Sequence, residues 1–292
     1  MKRALREAGE PKTKVGHGGT LDPLAGGVLP IALGEATKLA GRMLDATKAY
    51  DFTISFGEET NTLDAEGEAV ATSDARPTLK QIEATLPSFA GAIEQVPPAY
   101  SALKIGGKTA YARARSGETV EMKARRVTVH SLCVSAPPRE QDNLTRRRGG
   151  AQKLNEVTLE ATVSKGTYIR SLARDIARAL GTVGHVSYLR RTRAGPFGLE
   201  SAISLDFLNE LAKARDLRRA VLPLEAALDD IPAIPVTPDQ AKLLRHGQRL
   251  GGFPERPGLC MATLEGTPVA LVEAKADGLT VLRGFNLLDV AE

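Results

Sequence analysis

An α/β (α+β) fold is predicted by three features of this 292-residue sequence. Residues 50–56 alternate Tyr50, Phe52, Ile54 and Phe56 with Asp51, Thr53 and Ser55, the period of two of a strand with one face in a core. Two more alternating runs, Val127 with Val129 and Val157, Leu159, Ala161 with Val163, are expected to pair with each other. The second runs directly into SKGTYIRSLARDIARALG, where Ile169, Leu172, Ala173 and Ile176 share one side at helical spacing.

Taken in order, residues 1–13 read as a basic amphipathic helix carrying Ala4, Leu5 and Ala8, ended by Gly9 and Pro11. After the 50–56 strand, GEETNTLDAEGE is acidic and rich in turn formers, so it is expected away from nucleic acid or at a cleft rim. Leu79, Ile82, Leu86 and Phe89 make a short helix over 78–91, which PPAYSALK breaks. Residues 136–156, with Arg146, Arg147 and Arg148 in a row, read as a mobile loop or insertion. Thr167 is the expected cap of a helix that ends at Gly181, and HVSYLRRTRAGPF supplies another strand and turn. Residues 204–230 look helical. The prolines of DDIPAIPVTPDQ set a domain boundary near Ile231, followed by a small module with strands at CMATL, PVALVEA and LTVLRGF. HGQRL at 246–250 reads as a turn or an RNA contact.

Composition excludes several classes. The apolar runs fall short of the ~20 residues of a membrane span, and MKRALREAGEPK has no apolar segment to serve as a signal peptide. Cys133 and Cys260 are far apart, which fits buried thiols in a reducing, cytoplasmic setting. Net charge is +4, yet residues 101–200 alone hold 19 basic against 8 acidic side chains, the bias of a polyanion-binding surface or of a merely solvated basic face.

The chemistry concentrates in KVGHGGTLDPLAGGVLPIALGEATK (14–38), where a glycine-rich backbone presents a single acid, Asp22. Asp22 reads equally as the N-cap of a short helix starting at Pro23. The stretch has neither a Gly-Lys-Ser/Thr ending nor a G-x-G-x-x-G, so it is not a phosphate cradle. His17, His130, His185 and His246 lack metal-ligand spacing, and no metal or cofactor is expected. A lone carboxylate then acts as nucleophile or base, chemistry suited to a sugar or nucleoside. Between Gln95 and Arg115, Tyr100 and Tyr111 are interleaved with Lys104, Lys108, Arg113 and Arg115, a mixture that suits stacked bases and phosphates.

The run GHGGTLDPLAGGVLPIALGEATK resembles the G-H-x-G-T-L-D-P-x-A-x-G-x-L signature of the TruB family, the tRNA pseudouridine(55) synthases. KAYDFTISFGEETNTLDAEGE, QVPPAYSALKIGGKTAYARARSGE and SKGTYIRSLARDIARALGTVGHVSYLRRTRAGPF resemble further blocks of that family, in the same order. The resemblance implies the pseudouridine synthase fold, a mixed, mostly antiparallel sheet flanked by helices, over 1–230. It implies a PUA-like RNA-binding domain over 231–292. The implied reaction converts a uridine in the T-loop of tRNA to pseudouridine, Asp22 attacking either the base or the ribose C1′.

By the same resemblance Arg170 pairs with Asp22, Tyr50 and Tyr168 hold the base, Leu189 lines its apolar wall and His17 shapes the space left by the flipped nucleotide. Lys104, Lys108, Arg113, Arg174, Arg190 and Arg191 are the expected RNA contacts, on a monomer whose partner is the tRNA T-arm. The family's preceding strand with K-P-x-G-x-T-S is not in this sequence, so the start is expected to be lost or to depart from the pattern. Two other readings stand beside this one: the guide-RNA-dependent branch of the family, disfavoured by the small C-terminal module, and a tRNA-binding or folding factor with little or no catalysis.

Overall fold

The computed structural model describes residues 1–10, 12–118, 122–135, 152–252 and 257–287, so Arg146, Arg147 and Arg148 and most of the expected 136–156 loop lie outside the described residues. The chain forms two compact units, one of Thr20–Val28 and Asp45–Ala194, the other of Met1–Gly19, Leu29–Leu44 and Gly195–Glu292.

The first unit is built from β1 (Gly26–Gly27), β2 (Lys48–Phe56), α1 (Leu79–Thr85), β3 (Gly91–Gln95), β4 (Arg125–Val134), β5 (Glu156–Val163), α2 (Ile169–Ala179) and β6 (Gly184–Ala194). Its strands run in the order β6-β2-β5-β4-β3, each antiparallel to the next, and β1 lies parallel to β6. The mixed, mostly antiparallel sheet is therefore present, and Val129 faces Val163 across the expected β4/β5 pair. Phe52, Ile54 and Phe56 of β2 pack with Leu159, Val163 and Val186 against Leu172, Ala173 and Ile176 of α2, Ile82 of α1 and Leu86 at its end. Apolar burial of this extent is the main stabilising term of the unit. Where α2 crosses the sheet, Gly184 permits the approach: a Cβ there would stand 2.9 Å from the Ser55 carbonyl oxygen and 3.1 Å from the Ala177 methyl.

Two local expectations are corrected. No helix starts at Pro23; the Ala25 N–H instead donates to the Asp22 carbonyl at 2.9 Å, closing a turn. Thr167 does not cap α2, because its hydroxyl donates backwards to the Ser164 carbonyl at 3.0 Å and Tyr168 takes the N-cap position. α1 does have a capping box, Thr78 with Gln81.

In the second unit, strands Val15–His17 and Ile31–Leu33 pair antiparallel, and Ala4 and Leu5 of the Lys2–Glu7 helix pack against Leu211 and Ala212. Of the 204–230 segment only Leu205–Lys213 is α-helix; 3₁₀ turns follow at Leu217–Ala220 and Leu224–Ala227. Strands Ala233–Pro235, Gly258–Leu264, Thr267–Lys275 and Gly278–Gly284 form one sheet, packed on a helix at Pro238–Arg245 that the proline-rich sequence hid. Ile231 is buried with Leu39, Leu228, Met261 and Phe285. HGQRL is a turn, with His246 ending the helix and Gly247 at φ +73°. Among the described residues, no helix is long and apolar enough to cross a membrane.

One buried cation gives the first unit a pH signature. Lys48, at the start of β2, is 6 % exposed and donates to the Ala46 carbonyl at 2.7 Å. Burial, together with the charge of Arg191, lowers its pKa from 10.5 to about 8. Between those values the unfolded chain holds the extra proton, so the penalty is full below about pH 8 and is relieved as pH rises. In urea unfolding, the stability difference between wild type and Lys48→Met is expected to move in favour of the wild type between about pH 7.5 and about pH 10. A difference that stays flat would show that this lysine does not titrate there.

Candidate active site

The turn that replaces the expected helix leaves the Asp22 carboxylate facing the first turn of α2, where Arg170 meets it. Nε and Nη2 of Arg170 donate to Oδ2 and Oδ1 of Asp22 at 2.9 and 3.1 Å, a two-pronged pair that fixes the plane of the carboxylate. Arg170 is 5 % exposed and the Asp22 side chain 31 %, so the acid is held from the protein side and stays open on the other.

The remaining donors of Arg170 are also used. Nη1 donates to the Thr62 carbonyl at 2.8 Å and lies 3.2 Å from Oδ2 of Asp64; Nη2 reaches the Tyr100 carbonyl at 3.0 Å. Four N–H groups of the fork thus donate to acceptors and Asp64 adds a second carboxylate at ion-pair distance, the company a buried guanidinium requires. A cation in a helix's first turn opposes the helix dipole, and the two carboxylates offset that cost. Asp64 is itself held by the Thr62 hydroxyl at 2.6 Å and the Glu66 N–H at 3.1 Å. Leu63 between them has φ +64°, an unusual conformation for a branched side chain that the turn imposes. The acidic stretch expected at a rim therefore sends one member, Asp64, beneath the site.

Tyr50 on β2, with Leu24 and Ala25, packs against the core that contains Leu189. Burial pushes its phenol up, opposed by the charge and hydrogen bond of Arg191. Tyr168 stands just before α2, its N–H donating to Oε1 of the buried Gln95 at 2.8 Å and its carbonyl accepting from Nε2 at 3.1 Å. Burial raises the Tyr168 phenol as well, and the Asp22 charge acts on both rings in the same direction. Asp22, Arg170, Tyr50 and Tyr168 are thus gathered in one unit, with Leu189 buried in the core against which Tyr50 packs. His17 belongs to the other unit, exposed at the end of its strand, with Nδ1 accepting from the Gly19 N–H at 3.4 Å.

The expected RNA contacts divide. Lys104 and Lys108 are exposed on a two-stranded hairpin, and Arg190 is exposed on β6 opposite Asp51. Arg113 lies 3.7 Å from Glu118, while Arg115 stands over the Tyr111 ring at 5.7 Å and Tyr111 meets Tyr100 edge-on at 5.9 Å. Two are corrected. Arg191 is 1 % exposed and turned inward, and Arg174 is bound to the Asp175 carboxylate at 2.8 Å and the Val96 carbonyl at 3.2 Å, with 12 % of its side chain exposed. Arg178 likewise pairs with Glu59 at 2.8 Å. Among the described residues, no three His, Cys, Asp or Glu side chains gather as metal ligands.

Sequence reasoning missed Asp64, Gln95 and the inward role of Arg191. The one available signal was the alternation of β6, which assigns Leu189 and Arg191 to the same face of the strand.

Residues 3–169 match the family described as TruB family pseudouridylate synthase (N terminal domain), and residues 170–229 match the one described as tRNA pseudouridylate synthase B C-terminal domain. The chain is 59 % identical over 292 residues to tRNA pseudouridine synthase B of Novosphingobium aromaticivorans, covering 100 % of this chain and 93 % of that one. It is 55 % identical over 286 residues to tRNA pseudouridine synthase B of Zymomonas mobilis subsp. mobilis, covering 98 % and 89 %. Among solved structures it resembles a chain of an H/ACA RNP bound to a substrate RNA containing 2'-deoxyuridine, with TM-score 0.69 and 25 % identity over 99 % of this chain and 80 % of that one. It also resembles a chain of a Cbf5-Nop10-Gar1 complex, with TM-score 0.66 and 27 % identity over 97 % and 77 %.

The two carboxylates on Arg170 differ in what their loss should do. Asp64→Ala strands a buried guanidinium and is expected to lower unfolding free energy by about 3–5 kcal/mol in urea titration. Asp22→Ala, at a position water reaches, is expected to cost clearly less. Equal losses would show that the two acids share the structural role.

Proposed function

The chain belongs to the TruB family of pseudouridylate synthases, and we propose on that premise that it isomerises a uridine in the T-loop of tRNA to pseudouridine with Asp22 as the covalent catalyst. The observation that carries this reading is the Asp22 carboxylate itself, gripped in two places by Arg170 while a third of it stays open. An acid fixed in orientation and accessible on one side is in the state required to attack an electrophilic carbon, because the geometric cost is met before substrate arrives.

The reaction breaks the bond from N1 of uracil to C1′ and forms one from C5 to C1′; a proton leaves C5 and one is gained at N1. No electron is supplied or removed. The target base must leave its stack, which costs a few kcal/mol and least in an RNA loop. Tyr50 and Tyr168 then offer ring faces to the extruded uracil. A tyrosine phenol is uncharged near neutral pH and burial raises these two further, so neither ring puts a charge beside Asp22. Leu189 supports the Tyr50 side, and His17 is read as shaping the space vacated by the nucleotide. Lys104, Lys108, Arg113 and Arg190 are read as contacts to the T-arm, and residues 231–292 as a second, PUA-like hold on the RNA. In this reading the enzyme works as a monomer in the cytoplasm.

The test is tritium release from C5-labelled uridine in an unmodified tRNA transcript. Wild type is expected to release label. Asp22→Asn, which keeps a hydrogen-bonding side chain of the same size, is expected to bind tRNA within about threefold and to lose turnover by at least about 10⁴-fold. Bound tRNA with no release by wild type would favour the folding-factor reading instead.

A further inference from the structure

We propose that Arg191 is a positioning residue for catalysis, a buried clamp that sets the span of the Asp22 loop and ties it to the Tyr50 ring. The inference rests on the reading of Asp22 as the catalyst. Thr20 and Val28 are the two ends of the loop segment in this unit, and Arg191 holds both: Nε donates to the Val28 carbonyl at 2.6 Å, and Nη1 to the Thr20 carbonyl at 3.3 Å. The main chain adds a third hold, because the Val28 N–H donates to the Arg191 carbonyl at 2.8 Å. Arg191 also stands opposite Tyr50 across the β2/β6 pair, and its charge pulls the Tyr50 phenol down against the effect of burial.

Arg191 is the largest fully buried side chain of the described residues. Burying this charge is costly, and apolar side chains fill the core around it more cheaply. A guanidinium is favoured where rigidly spaced donors must reach separate carbonyls at once, which one ammonium cannot do. Gly27 fits the same design. Its φ is +97°, and a Cβ there would stand 2.1 Å from the Arg191 carbonyl oxygen, so the loop lies directly on the Arg191 backbone. Arg170 thus aims the carboxylate, while Arg191 fixes the segment that carries it.

The experiment compares wild type, Arg191→Lys and Val129→Ala, the last removing buried volume from the β4 side of the core without touching the loop. Single-turnover pseudouridine formation, tRNA affinity, melting temperature and hydrogen exchange of residues 20–28 and 157–163 are measured. Arg191→Lys is expected to slow the single-turnover rate about 100-fold, as displacement of a catalytic group by about 1 Å does. Its tRNA Kd should stay within about twofold, and exchange should quicken in 20–28 but not in β5. Val129→Ala should lower the melting temperature and keep the rate.

A rate for Arg191→Lys within about threefold of wild type overturns the proposal, as does a matching rate loss in Val129→Ala. If wild type forms no pseudouridine, the catalytic reading fails, and unchanged exchange in 20–28 would remove the clamp as well.

Discussion

The site depends on one guanidinium held between two acids. Arg170 has left water almost completely, and an unpaired charge there would cost several kcal/mol. The structure supplies Asp22 and Asp64 on opposite sides, with the Thr62 and Tyr100 carbonyls for the remaining donors. The four partners come from three loops, so the single side chain draws together segments around residues 22, 62–64 and 100. The pair has an unequal division of labour. Asp64 is buried and pinned by the Thr62 hydroxyl and Glu66 N–H, which balances the charge, whereas Asp22 gives Arg170 only part of its surface and leaves the rest open.

Orientation of a carboxylate is worth little unless its main chain is also fixed. The short parallel pairing of β1 on β6 and the turn from Asp22 to Ala25 give the loop regular hydrogen bonds at its centre. Gln95 does for Tyr168 what these bonds do for Asp22: one fully buried amide bonds both main-chain polar groups of Tyr168. Both halves of the site are therefore built on β-strands and the start of α2 rather than on side-chain contacts alone. Rigid support of this kind is what permits a reacting group to be held within a fraction of an ångström.

The sequence made the sheet legible because β2 and β5 alternate cleanly and β5 leads straight into α2. It made Asp22 and Arg170 legible because both lie in long motifs with a family resemblance. Asp64 stayed hidden, since with Glu58, Glu59, Glu66 and Glu68 it read as an acidic, turn-rich rim; the turn at Leu63 brings it to Arg170, and Glu59 is buried too, against Arg178. The capping expectations at Pro23 and Thr167 failed for a common reason. Asp-Pro and a Thr before an apolar run are local signals, and in both places a tertiary demand took precedence: a turn that serves Asp22, and a Tyr168 peptide held by Gln95. The helix at Pro238–Arg245 was masked by prolines that in fact include its N1 residue.

Charge was the least faithful guide. The basic surplus of residues 101–200 suggested a broad polyanion-binding face, yet part of that surplus is spent inside the protein. Arg170 and Arg178 neutralise Asp22, Asp64 and Glu59, Arg174 caps the Val96 carbonyl, and Arg191 serves Thr20, Val28 and Tyr50. Arg170 and Arg191, buried and so engaged, are withdrawn from a phosphate, whereas Arg178 keeps 57 % of its side chain exposed beside Glu59. Lys104, Lys108 and Arg190 remain exposed. Arginine was chosen for the inward tasks and lysine for the hairpin tip, a division that follows from the rigid fork of one and the mobile point charge of the other. A count along the chain sums both kinds equally, and only the fold separates the cations that build the site from those left to meet a ligand.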